Sequence, residues 1–306
     1  MVKVLVSDRL GEEGLKLLRQ EGFDVDVKLN LSPEQLKEAV KECDALLVRS
    51  KTKVTREILE AASNLKLVVR AGVGLDNVDL KAAGELGVKV ENTPEAVSFA
   101  VAELTVALML AVARRLPEAD RMVKSGGWSK EKFVGLELRG KTLGIIGLGR
   151  IGCLVAKTCR AMDMRVIFYD VVDRSEYAQM YSCEPVVSLE RLLSEADIVS
   201  IHVPLTPETR HMIGEKEIAL MKPGAILINT SRGAIVDERA LLAALKSGRL
   251  GGAGLDVYEE EPPRNMELLS LPNVVCTPHI GAQTSEAQKL ASITAARKVI
   301  EFFKQA

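Results

Sequence analysis

The chain has 306 residues, 47% of them hydrophobic and 27% charged, with a formal net charge of -1. That length suits about two domains of ordinary globular composition. Near-neutral charge argues against a nucleic-acid or acidic-surface partner. Five scattered cysteines with no close pair argue against a disulfide framework and for a reducing, cytoplasmic setting.

The N-terminus, Met1-Val-Lys-Val-Leu-Val-Ser-Asp8, reads as a strand and not as a signal peptide. Apolar runs predict strands at 2–6, 25–29, 44–48, 65–70 and 88–91, separated by helices at 12–20, 33–41, 56–62 and 80–86. Ser32 followed by Pro33 marks one helix start, an N-cap serine with proline in the first turn. Residues 96–113 are apolar and alanine-rich, but they carry Ser98, Glu103 and Thr105. A long buried helix ended by Arg114 and Arg115 is expected there, rather than a membrane span. Such a helix must be covered by protein, a second subunit being one candidate. After a polar loop at 125–132, six further strands are expected at 143–146, 166–169, 198–203, 225–229, 252–257 and 274–276, then a final helix over 284–303. Alternating strands and helices predict an α/β fold with parallel sheets covered on both faces.

The strongest local signal is Gly147-Leu-Gly149-Arg150-Ile151-Gly152, between the apolar run 143–146 and a helix-forming stretch. Gly147 permits the tight turn, Gly149 lets backbone approach a pyrophosphate, and Gly152 lets helix pack close to strand. The helix N-terminus then offers free N–H groups to phosphate. A second strand ends at Asp170, 18 residues past Gly152, where a carboxylate can take the adenosine ribose hydroxyls. Asp170 would repel a 2′-phosphate, and the first basic residue after it is Arg174, so NAD is expected over NADP. The bland alternative for the glycines is a tight turn.

Ligands of open parallel sheets bind past the C-terminal strand ends. Polar residues gather at such ends: Arg49-Ser50, 70–74, 92–93, 229–233, Asp256 and His279. Two sheets with these ends facing would form a cleft, the expected active site. Reduction of a 2-keto acid needs a cation for carboxylate and carbonyl, a proton donor near neutral pH, and a carboxylate to orient that donor. Arg232, His279 and Glu261 are of those types. Taken alone, each has a plain reading: a phosphate or ion-pair arginine, a helix-capping histidine, a solvated glutamate in Glu259-Glu-Glu261.

Eight stretches resemble the D-2-hydroxyacid dehydrogenase family, within it the phosphoglycerate dehydrogenase branch without a C-terminal regulatory domain. They are residues 48–55, 70–79, 92–94, 147–152, 202–207, 229–233, 254–263 and 277–282. The resemblance implies a Rossmann NAD-binding domain at 96–282 inserted in a flavodoxin-like substrate domain at 1–95 and 283–306. It implies hinges near 95–97 and 282–284 and pairing of subunits through the nucleotide domains. It assigns catalysis to Arg232, Glu261 and His279. It puts Arg150 and Ile151 on the pyrophosphate, Asp256 on the nicotinamide amide, and Val73, Val203, Thr230, Ser231, Gly281 and Ala282 along the cofactor. Val73 and Gly74 would offer N–H groups to the substrate carboxylate, and Arg49 with Ser50 would face its far, phosphorylated end. Lys130 and Lys132 are weaker phosphate candidates. Where the family often has Thr or Ser, this chain has Val203.

The implied reaction is NAD-dependent oxidation of 3-phosphoglycerate in serine biosynthesis, with glyoxylate or hydroxypyruvate reduction as the alternative. A non-catalytic NAD(H)-sensing corepressor is the reading from another class; those proteins carry extensions that this chain is expected to lack. His202 is expected to be structural and His211 solvated. Cys276 is expected to be a buried, inert strand cysteine, Cys153 and Cys159 to be packing residues, and no metal is expected.

Overall fold

The computed structural model describes residues 1–305, in two compact units: 1–98 with 282–305, and 99–281. The first unit opens with β1 (Lys3–Val6), α1 (Glu12–Gln20), β2 (Asp24–Val27), α2 (Pro33–Ala39), β3 (Ala45–Val48), α3 (Arg56–Ala61), β4 (Leu67–Arg70), α4 (Leu80–Glu85) and β5 (Lys89–Asn92). All strands pair in parallel in the order β2-β1-β3-β4-β5, the flavodoxin-like arrangement. Every residue of β3 is buried, as expected for a strand with helices on both faces. α2 begins with a full capping box: Ser32 accepts from the Gln35 N–H while Gln35 accepts from the Ser32 N–H.

The helix α5 (Pro94–Ala113) leads into the second unit. By length and composition it could cross a membrane, yet most of it is buried inside the protein. Ala102, Val106, Leu108, Met109 and Val112 belong to the second unit's core, which accounts for their apolar character.

The second unit continues with α6 (Leu116–Lys124), β6 (Thr142–Ile146), α7 (Arg150–Ala161), β7 (Arg165–Tyr169), α8 (Ser175–Tyr181), β8 (Glu184–Pro185), α9 (Leu189–Glu195) and β9 (Ile198–Ile201). Then come α10 (Glu215–Leu220), β10 (Ala225–Asn229), α11 (Glu238–Lys246), β11 (Leu250–Leu255), α12 (Met266–Leu269) and β12 (Val274–Cys276). The sheet is parallel throughout, in the order β12-β11-β10-β9-β6-β7-β8. It has seven strands where six were expected. The addition, β8, is two exposed residues at the edge, one of them proline, so it carries no hydrophobic pattern. The order reverses at β6, next to β9, the switch point beyond whose strand ends open parallel sheets bind ligands.

α13 (Ser285–Gln305) returns to the first unit and lies against α1. A Cβ on Gly14 would come within 2.3 Å of the Ser292 carbonyl oxygen, so the two backbones touch. Ser292 Oγ donates to the Gly11 carbonyl at 2.6 Å.

Candidate functional site

In the second unit the glycine turn follows β6. Gly147 has φ +93°, and a Cβ there would strike the His202 carbonyl oxygen at 2.9 Å and Val203 Cγ1 at 2.8 Å. A Cβ on Gly152 would lie 2.4 Å from the Gly147 carbonyl oxygen, which explains why helix and turn pack so closely. Gly149 differs: it is the N-cap of α7, and no atom lies within 4 Å of its Cβ position. Open space above a helix N-terminus, with Arg150 and Ile151 in its first turn, suits a pyrophosphate. Asp170 sits just past β7, its side chain 9% exposed. Its Oδ2 accepts from the Leu148 N–H at 2.9 Å and from Arg174 Nε at 3.2 Å, and its Oδ1 from the Val172 N–H at 2.9 Å. The carboxylate is therefore fixed against the glycine turn. These residues fit a dinucleotide.

At the end of β10, Asn229 shapes the turn that carries Thr230, Ser231 and Arg232. Its Oδ1 accepts from the Ser231 N–H and Oγ, and its Nδ2 donates to the Arg232 carbonyl at 2.9 Å. Thr230 is buried against Thr105 of α5, with 2.8 Å between the hydroxyl oxygens. Beyond β11, Asp256 is 1% exposed. Its Oδ1 accepts from Thr277 Oγ1 at 2.6 Å and the Ile280 N–H at 2.8 Å, and its Oδ2 accepts from the Gly281 N–H at 2.8 Å. Asp256 thus holds the turn that presents His279.

His279 adopts φ +52°, a left-handed backbone uncommon outside glycine. Its Nδ1 lies 2.7 Å from Glu261 Oε2. Burial pushes the Glu261 carboxyl up. The hydrogen bond and charge of His279, the Tyr258 N–H and the charge of Arg232 outweigh this and hold it below the ordinary carboxylate range. So the structure brings Glu261 and His279 into contact and sets Arg232 within reach of the same carboxylate by charge.

His202 is half-buried just past β9, its Nε2 2.8 Å from Ser200 Oγ, and desolvation lowers its pKa to about 4. His211 is exposed, as expected, and its Nε2 lies 3.1 Å from Glu259 Oε1. Cys276 is exposed rather than buried, because β12 is a short edge strand. Cys153 and Cys159 are buried in the core. Lys130 and Lys132 lie in an exposed 3-10 turn, Lys130–Phe133. Among the described residues no cluster of ligands suits a metal ion.

In the first unit, Arg49 and Ser50 follow β3. The buried Asp8, just past β1, accepts from the Arg49 N–H at 2.6 Å and from the N–H and hydroxyl of Thr52. Asn77 Nδ2 donates to the carbonyls of Arg49 and Thr52. Burial lowers the Arg49 guanidinium's pKa against the opposing charge of Asp8, and arginine stays cationic regardless. The loop with Val73 and Gly74 is tied to β5: Asn92 Nδ2 donates to the Val73 carbonyl at 2.5 Å. Sequence reasoning missed Asp8 and Asn229 as the groups that build these loops. The available signal was a short polar side chain at the end of a buried strand.

Comparison with known proteins bears on this arrangement. Residues 106–281 match the family model "D-isomer specific 2-hydroxyacid dehydrogenase, NAD binding domain". The chain is 50% identical to D-3-phosphoglycerate dehydrogenase of Methanocaldococcus jannaschii, over 98% of this chain and 57% of that protein. It is 46% identical to glyoxylate reductase of Thermococcus litoralis, over 99% of this chain and 94% of that one. The TT0316 protein of Thermus thermophilus superposes with a TM-score of 0.91 at 40% identity, covering 99% of this chain and 97% of that one. The chain spans little more than half the length of the first phosphoglycerate dehydrogenases it matches. A glycine turn open at Gly149, an acid closing β7 and the match over 106–281 agree: the chain belongs to the D-isomer specific 2-hydroxyacid dehydrogenase family and carries its NAD-binding domain.

Proposed function

We propose that this chain catalyses the NAD-dependent oxidation of 3-phospho-D-glycerate to 3-phosphohydroxypyruvate, the entry to serine biosynthesis. The observation that carries the reading is the 2.7 Å contact between His279 and Glu261, on a carboxylate also held by the charge of Arg232. An ionised carboxylate only accepts, so Nδ1 carries the proton and Nε2 is left as the base. His279 takes the substrate hydroxyl proton at Nε2, and Glu261 stabilises the imidazolium that results. Arg232 holds the substrate carboxylate and the developing carbonyl. Bound NAD would supply the hydride acceptor. Gly147, Gly149, Arg150, Ile151, Gly152 and Asp170 are the proposed cofactor contacts. Val203, Thr230, Ser231, Asp256, Gly281 and Ala282 are proposed to line its nicotinamide side, with Val73 contributing. Arg49, Ser50, Val73 and Gly74 are proposed to serve the substrate's phosphate and carboxylate. Residues 1–95 with 283–306 are the proposed substrate domain and 96–282 the cofactor domain. Exposed Trp128, Val134 and Val123 support a homodimer through the nucleotide domains.

The test is a panel of 2-hydroxy and 2-keto acids followed by nicotinamide absorbance, with NAD and NADP separately. Turnover of 3-phosphoglycerate with NAD, abolished in His279→Ala while NAD binding persists, is expected. Reduction of glyoxylate or hydroxypyruvate favours the second reading, supported by the glyoxylate reductase that matches this chain over 94% of its own length. Arg49→Ala separates the two, raising KM only for the phosphorylated substrate. Turnover of none of these acids would favour the corepressor-like reading instead.

A further inference from the structure

Two of the chain's three histidines are held at φ +52°, His211 and His279, and each pairs with a glutamate of one acidic turn. Glu259 and Glu261 stand two residues apart on it. The function proposed above uses only the second pair.

The first pair lies in a closed network. Glu259 Oε1 lies 3.1 Å from His211 Nε2 and accepts the Glu238 N–H at 2.9 Å. Glu238 returns the bond, its Oε1 accepting the Glu259 N–H at 2.9 Å. The His211 N–H donates to the Ala234 carbonyl at 2.8 Å, and the Ile213 N–H to the Ile235 carbonyl at 3.1 Å. Ala234 and Ile235 belong to the 3-10 turn Gly233–Ile235, which directly follows Arg232. Gly233 in turn presses on the backbone of Tyr258, where a Cβ would come within 1.8 Å. Thus the loop bearing His211 is bonded to the segment after Arg232 and to the segment before Glu261.

An exposed ion pair contributes little to stability, so this one is not explained as a staple of the fold. A left-handed conformation at a non-glycine residue persists where the surroundings over-determine it. We propose that His211, through Glu259, is a positioning residue that clamps the turns carrying Arg232 and Glu261, so that Glu261 stays aligned on His279. The inference rests on the functional reading above. His211 touches no reacting atom in it.

The test compares His211→Asn, which tolerates a left-handed backbone, with Glu259→Gln, which keeps an acceptor for the Glu238 N–H, and with the double variant. Each single variant should lower kcat about fivefold with KM for NAD within about twofold of the parent, and the double should be no worse than the poorer single. Hydrogen exchange should quicken at the amides of 233–238 and 258–261, with the melting temperature nearly unchanged. Parent-like kcat and parent-like exchange in His211→Asn would overturn the proposal. So would a fall in melting temperature with kcat intact, the mark of a purely structural pair. His279→Ala, run alongside, keeps the two readings apart: if it retains turnover, the catalytic reading fails. The exchange data still decide whether His211 braces the turns.

Discussion

The Asp256 carboxylate accepts the Gly281 N–H at 2.8 Å, binding the end of β11 to the turn that presents His279. Its other oxygen takes two more donors from the same turn, Thr277 Oγ1 and the Ile280 N–H. In Asp256→Asn an amide group must face one of these donors. Leaving a buried donor unpaired costs about 1–3 kcal/mol. We expect a lower melting temperature and a kcat reduced at least about tenfold, measured by thermal denaturation and steady-state kinetics. An Asn variant equal to the parent in both would remove Asp256 as the organiser of the turn.

Gly149 and Gly152 stand in one motif but should respond differently. A methyl group on Gly149 meets open space, whereas one on Gly152 meets a backbone oxygen at 2.4 Å. Gly149→Ala should fold with an unchanged melting temperature and bind NAD about tenfold more weakly, about 1.4 kcal/mol. Gly152→Ala should lose stability as well as affinity. Calorimetric titration with NAD and thermal melts of both variants check this, and equal melting losses would refute the distinction.

Glu261 is held below the ordinary carboxylate value. Its pairing with His279 therefore stabilises the fold above about pH 4.3 and fades as pH falls through the depressed value. Glu261→Gln removes the charge that supports the imidazolium. The kcat for oxidation should fall about tenfold or more. Steady-state kinetics are the measurement, with thermal melts across pH for the stability; a kcat equal to the parent's would mean the pair is not functional.

His202 carries a pH dependence of stability. Burial lowers its pKa to about 4. Between about pH 6.5 and 4 the unfolded chain binds a proton that the folded chain refuses, so stability falls as pH falls across that window, by up to about 1.4 kcal/mol per unit. Below it this contribution is flat. His202→Asn should flatten the slope of melting temperature against pH in that range, with the parent as reference.

Burial periodicity made most of the fold legible. The strand at 225–229 and the edge strand at 274–276 follow from their apolar runs and recur residue for residue in β10 and β12. β8 does not, because two exposed residues with a proline leave no pattern to read. Nor does the pairing of His211, since nothing local distinguishes it from a solvated histidine. Asp8 shows the same limit: its partners are the backbone groups of Arg49 and Thr52, more than forty positions away.

The order of residues along the chain alone determined the alternation of strand and helix, the glycine turn, its closing acid and the family. Those features are local: each depends on apolar period or on the steric demands of a few neighbouring residues. Only the tertiary structure decided that His279 meets Glu261 at 2.7 Å, that Asp256 commits its carboxylate to the histidine's own turn, and that His211 finds Glu259. Such contacts depend on sheet order, which sets strand ends from distant parts of the chain side by side at one edge.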